Sequence, residues 1–158
     1  MKNFVGVMCL LIIFTSADAA FARGGRFFRR GGSGGGSTTA SLNAPVDKSP
    51  IYEHERKLLN AINAIRERYG LKALVLDITV LRNARQHCGW MANHHSMIHC
   101  ANRCENIAMG QADVDDVVAA WMGSSGHRAN ILNPSYTKAG FTGYISPSGS
   151  PFWCQQFE

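Results

Sequence analysis

Residues 121 to 134 read W-M-G-S-S-G-H-R-A-N-I-L-N-P. Trp121 and Met122 close an apolar face begun by Val114, Val117 and Val118, a helical recurrence. Asp113 is placed to cap that helix, with Asp115 and Asp116 in the first turn, where acid suits the helix dipole. Gly123 to Gly126 ends it. His127 follows, Arg128 to Leu132 supplies one more helical turn, and Asn133-Pro134 stops the chain from continuing. A histidine held between apolar anchors on a Gly/Ser turn is either a hydrogen-bonded structural residue or part of a site. A second stretch upstream, His99 followed by Glu105-Asn106-Ile107-Ala108, has the same double reading.

On either side of these stretches the chain alternates helix and strand. Leu58, Ile62, Ile65 and Tyr69 recur at helical spacing over residues 51–69, and Gly70 is a C-cap. Leu71 to Leu76 is a short apolar connection. Asp77 caps a second helix running to about His94, with Leu81, Ala84, Cys88 and Met91 inward and Arg82, Asn83 and Gln86 outward. Glu105 to Ala108 is a short strand. Lys138 to Ile145 and Phe152 to Phe157 are two more strands, joined through Ser146-Pro147-Ser148-Gly149-Ser150. The order predicts an α+β fold, an α-β-α sandwich with a small antiparallel sheet flanked by helices.

The chain has 158 residues, room for one domain after its N-terminal segments are set aside. Residues 1–22 have the pattern of a secretory signal peptide: Lys2, an apolar run from Phe4 to Phe14, and small-x-small sites at Ala17-Asp18-Ala19 and Ala20-Phe21-Ala22. Residues 23–50 form a Gly/Ser/Arg-rich linker that cannot bury enough apolar surface to fold. It carries Arg23, Arg26, Arg29, Arg30 and Lys48 against Asp47, whereas residues 51–158 carry ten basic and nine acidic side chains. The basic character thus belongs to the arm, which suits anionic surfaces; no specific nucleic-acid partner is expected. A secreted, periplasmic or cell-surface location follows from the signal. Four cysteines remain after its removal, Cys88, Cys100, Cys104 and Cys154. An even number in an exported chain predicts two disulfides, with three possible pairings.

Taken together, Leu59-Asn60 to Arg66, Glu105-Asn106-Ile107-Ala108, Trp121 with Gly126-His127-Arg128-x-Asn130-Ile131-Leu132, and Phe152-Trp153-Cys154-Gln155-Gln156-Phe157 resemble the CAP superfamily. This comprises cysteine-rich secretory proteins, antigen 5 and pathogenesis-related proteins (the SCP domain), and the match is to its compact bacterial branch. The resemblance spans residues 51–158. It implies an α-β-α sandwich and a cleft of two His and two Glu able to take a divalent metal. Matched residue by residue, the cleft is His99, Glu105, Ser124 and His127, with Ser124 standing where the second Glu is expected. His99, Glu105 and His127 are then the metal candidates, for zinc or another divalent cation. The resemblance also implies a Cys104–Cys154 link, which leaves Cys88–Cys100; Cys100–Cys104 with Cys88–Cys154 is the alternative.

Three functions are open at this point. The first is an extracellular binding module, monomeric, for a lipid or sterol, a glycan or a protein. The second is a metal-dependent hydrolase of extracytoplasmic peptide or cell-wall material, with Glu105 as base. The third is a structural envelope protein whose cleft is vestigial. Gly-Ser-Ser-Gly-His is not a nucleophile elbow, so a serine hydrolase is disfavoured. The crowding of His94, His95, His99, Cys100 and Cys104 has poor spacing for a structural zinc. His54 and His87 carry no motif.

Overall fold

The structure is a computed structural model that describes residues 51–158. The signal peptide and the basic linker expected from the sequence lie outside the described residues. Four helices and four strands follow in order: α1 (Glu53–Arg68), β1 (Val75–Leu76), α2 (Ile78–His94), β2 (Cys104–Met109), α3 (Val114–Gly123), α4 (Ser125–Ile131), β3 (Lys138–Ile145) and β4 (Pro151–Phe157). The sheet order is β1-β3-β4-β2. It is mixed rather than wholly antiparallel, because Val75 and Leu76 pair in parallel with Lys138 and Ala139. The apolar connection at Leu71 to Leu76 therefore ends in a two-residue strand, anchored by the buried Leu74. Asn63 fixes it there, donating from Nδ2 to the Leu74 carbonyl (2.9 Å) and accepting the Leu74 amide (2.8 Å).

The helix ends follow the expected chemistry. Asp77 accepts from the amides of Thr79 and Val80, and Asp113 from that of Asp116. After α1, Gly70 takes a left-handed φ of 68° while Leu71 N–H reaches back to the Arg66 carbonyl, a Schellman closure that a Cβ would strain. The turn after α3 is shorter than the sequence suggests. Only Ser124 separates α3 from α4, because its extended backbone (φ −95°, ψ 124°) lets the chain restart a helix at Ser125.

Two apolar layers result, one on each face of the sheet. On one face, Leu58 and Ile62 of α1, Val117 and Trp121 of α3 and Ile131 of α4 pack on Phe141, Trp153 and Phe157. On the other, Ala84, Cys88 and Met91 of α2 pack on Ile107, Phe152 and Cys154. This is the expected α-β-α sandwich. Buried charge ties the layers together. Glu55, fully buried, takes a bidentate pair of bonds from Arg85 (2.7 and 2.6 Å) and a third from Thr142 of β3 (3.1 Å). Arg85 in turn lies over the Tyr52 ring.

At Gly140 the close approach of α2 to β3 admits no side chain. A Cβ there would lie 2.5 Å from Leu81 Cα and from the Val80 carbonyl carbon, both backbone atoms that cannot rotate away. Gly140→Ala is expected to destabilise the fold by about 2 kcal/mol through overpacking, read as a lower urea midpoint at unchanged slope.

The strand register also decides the cysteine question. Cys104 pairs with Phe157, whereas Cys154 pairs with Ile107. Side chains alternate along a strand, so Cys104 points to the α1/α3 face and Cys154 to the α2 face. The expected Cys104–Cys154 disulfide is therefore not made, and Cys88 and Cys100 form no disulfide either. Burial raises the pKa values of Cys88 and Cys154, so neither carries a reactive thiolate at neutral pH.

Candidate functional site

Edge strand β2 carries the site, and its two faces carry different chemistry. Odd-numbered residues face α2, which directs Glu105 toward that helix opposite Gln156. Its side chain is only 1% exposed. Oε1 accepts the Cys100 amide (2.7 Å) and His99 Nδ1 (3.1 Å), and His87 Nε2 of α2 lies 3.3 Å from the same oxygen. Oε2 accepts Gln156 Nε2 (3.0 Å), with Cys154 Sγ at 3.9 Å. Burial alone would raise the carboxyl pKa. The close His87 imidazole and the hydrogen bonds from His99, Gln156 and Cys100 outweigh it and hold the group at about 2. In return, the contact with Glu105 raises the pKa of His87 against its own burial.

Even-numbered residues face α3 and α4. Asn106 Nδ2 donates to the His127 carbonyl (3.0 Å) and to Gln155 Oε1 (3.1 Å). Asn130 Nδ2 donates to Asn106 Oδ1 (2.9 Å) and reaches around the strand to the Glu105 carbonyl (3.3 Å). This amide network fixes α4 against β2 and thereby places His127. Burial, helped by the charge of His99, lowers the His127 pKa, which keeps its imidazole neutral. His127 and Ser124 border a groove of about 310 Å³ that runs along β2 past Ile107 and Met109 to Gln111. A larger depression, about 560 Å³, lies between α1 and α3 against Ile65, Tyr69, Val118 and Met122, and shares no lining residue with this groove.

The structure thus brings His99 and Glu105 into contact, as the sequence indicates. Ser124 and His127 border the groove along β2 and make none of the bonds to the carboxylate, and Ser124 Oγ is buried with no hydrogen-bond partner. Sequence reasoning passed over His87 and Gln156. His87 sits on the flank of α2 beside the inward Cys88, and only the tertiary packing of α2 against β2 reveals its role. The alternation of β4 was the available signal for Gln156, since it pairs directly with Glu105.

A divalent ion needs at least three convergent donors with lone pairs to spare. Both Glu105 oxygens are already engaged, and among the described residues no three His, Cys, Asp or Glu side chains converge as a metal-holding group. With Ser124 in place of a second carboxylate, the residues as arranged do not fit the metal that the resemblance implied.

A three-layer α-β-α sandwich with a buried His–Glu cluster on its edge strand is the class that the fold and site define, and comparison with known proteins makes this specific. Residues 59–157 match the cysteine-rich secretory protein family, and the chain belongs to that CAP family. It is 36% identical over 138 residues to the uncharacterized protein YkwD of Bacillus subtilis, an alignment covering 76% of this chain and 51% of YkwD. The chain thus spans about half the length of that relative. Among solved structures, it resembles an outer surface protein from Borrelia burgdorferi at a TM-score of 0.62 and 19% identity, covering 70% of this chain and 96% of that one. It also resembles an extracellular SCP-domain protein from Bacillus anthracis at 0.60 and 23%, covering 70% and 44%. A further likeness, NaASP2, is a structure with Zn2+ (TM-score 0.54, 15% identity, covering 68% and 80%). Among the described residues, no helix is long and apolar enough to cross a membrane.

Proposed function

We propose that this chain is an extracellular, non-catalytic binding module whose ligand site follows the edge of β2, between the Glu105 cluster and His127. The observation that carries this reading is the saturation of Glu105. Its carboxylate is buried, ionised far below neutrality and engaged at both oxygens. A general base needs a pKa nearer the working pH and a free lone pair for the proton it takes. Glu105 instead locks the loop carrying His99 and Cys100 onto α2 and β4, which preorganises the cleft wall. The ligand is a lipid, glycan or protein outside the cell. Export through the N-terminal signal and tethering by the basic arm belong to the same reading.

The test pairs turnover with binding. The chain is incubated with casein and with peptidoglycan, with and without a chelator, and screened against glycan, liposome and peptide arrays. The expected result is no hydrolysis and a binding signal that survives the chelator. Hydrolysis that disappears in Glu105→Gln while that variant stays folded would establish the hydrolase instead.

A further inference from the structure

The outer edge of β2 is unfinished. Gly110 N–H bonds to the Pro151 carbonyl, so the even-numbered residues of β2 exchange their ladder bonds with β4. The amides and carbonyls of Glu105, Ile107 and Met109 therefore point away from the sheet. Side chains cap the first part of this edge: Asn130 bonds the Glu105 carbonyl (3.3 Å) and Trp121 Nε1 bonds that of Ile107 (3.4 Å). Beyond Trp121 the capping stops. Among the described residues nothing bonds the amides of Ile107 and Met109 or the Met109 carbonyl, and Met109 is 42% exposed. This stretch forms one wall of the 310 Å³ groove, whose other wall is Ala120, Trp121, Ser124 and His127. Two polar atoms just beneath its surface, Oγ of the lining residue Ser124 and Oε1 of the lining residue Gln111, are buried without a partner.

An unpaired edge that is walled on one side and has free amides and a free carbonyl has a specific complement. A lipid chain would bury these groups without bonding them, at a cost of roughly 1–3 kcal/mol each. A glycan hydroxyl would meet one or two of them but has no repeat matching alternate strand residues. An extended polypeptide presents an amide and a carbonyl at the strand spacing, and meets Met109 with both and the Ile107 amide with a third bond. The geometry points to a peptide-binding site at residues 107–111, where an extended segment of a partner protein adds as a fifth strand beside β2 and its side chains reach Ser124, Gln111 and His127. The inference rests on the binding-module reading and names its ligand class.

The experiment uses the full chain and an array of random, acetylated and amidated heptapeptides, with the tightest binders then resynthesised. Bound peptide is expected to slow hydrogen exchange at the Ile107 and Met109 amides. N-methylation of alternate peptide residues in one phase should weaken binding roughly tenfold or more, while the other phase leaves it within about twofold. Met109→Pro, which removes the outward amide but no bond to β4, should weaken binding comparably, and Met109→Val should not. The N-methyl comparison needs no variant, so a misfolded proline variant does not spoil the test. The proposal is overturned if no heptapeptide binds, if protection falls away from β2, or if both methylation phases act alike. Retained glycan or liposome binding in those cases leaves the binding module standing, whereas turnover of casein or peptidoglycan would remove it.

Discussion

Arg66→Ala is expected to lower stability by about 4 kcal/mol. Arg66 is fully buried at the end of α1. Its guanidinium donates to four carbonyls: Lys72 (2.9 Å), Ile131 (2.7 Å), Asn133 (2.9 Å) and Tyr136 (3.2 Å). These belong to the connection after α1, the end of α4 and the approach to β3, so one side chain closes three chain segments. Two effects oppose each other on truncation. The cost of keeping a cation out of water is returned, but four acceptors lose a charge-assisted donor and a cavity opens where the planar group lay. Each abandoned buried acceptor costs roughly 1–3 kcal/mol, so the loss outweighs the return. Lysine keeps the charge but not the fork of donors, and Arg66→Lys should still cost about 2 kcal/mol. Urea unfolding followed by tryptophan fluorescence reads both values. A loss below about 1 kcal/mol for Arg66→Ala would show that water replaces the guanidinium freely, and that these segments hold one another without it.

The same residue shows how far the sequence could be read. Helical periodicity placed Leu58, Ile62, Ile65 and Tyr69 on one face, yet Tyr69 is exposed and Arg66 is taken inside. α1 ends at Arg68, before Tyr69 can follow the stripe, and hydropathy alone never assigns a cation to the interior. Glu55 and Arg85 were hidden for the same reason: a buried ion pair has no periodic signal until both partners are placed. Caps and β-alternation were legible because they are local, which is why Asp77, Asp113, β3 and β4 stand where the sequence puts them. β1 was not, because two residues become a strand only through pairing with Lys138 and Ala139. At the site, the motifs supplied His99 and Glu105. The register of β2 on β4 then added Gln156, the packing of α2 added His87, and register removed the Cys104–Cys154 link. What remained illegible was tertiary: which face of β2 each motif residue occupies, and hence that His87 and Gln156 rather than Ser124 and His127 meet the carboxylate.

The contact with His87 gives Glu105→Gln an informative pH signature. The folded pKa of Glu105 is about 2 against an ordinary value of 4.5, so its ionised form contributes about 3 kcal/mol to folding. The sign follows from the depression: the contribution is present above pH 4.5 and is lost as pH falls through about 2. His87 acts oppositely, because its pKa is raised by the same contact. Its share is complete below its ordinary value of 6.5 and fades as pH rises through the raised one. The stability difference between wild type and Glu105→Gln is therefore expected to be bell-shaped, about 3 kcal/mol between about pH 5 and 6.5 and smaller on both sides. The variant should nonetheless fold. Glutamine keeps an oxygen toward His99 and the Cys100 amide, and its new amide can face Gln156, whose buried Oε1 has no partner and turns to accept it. Urea denaturation of both proteins from about pH 3 to 9 measures the curve. A flat difference would mean that the histidines do not pair with the carboxylate, leaving Glu105 available as the base that the hydrolase reading requires. The bell would instead show a carboxylate committed to holding the cleft wall, leaving recognition to the β2 edge and the groove beside His127.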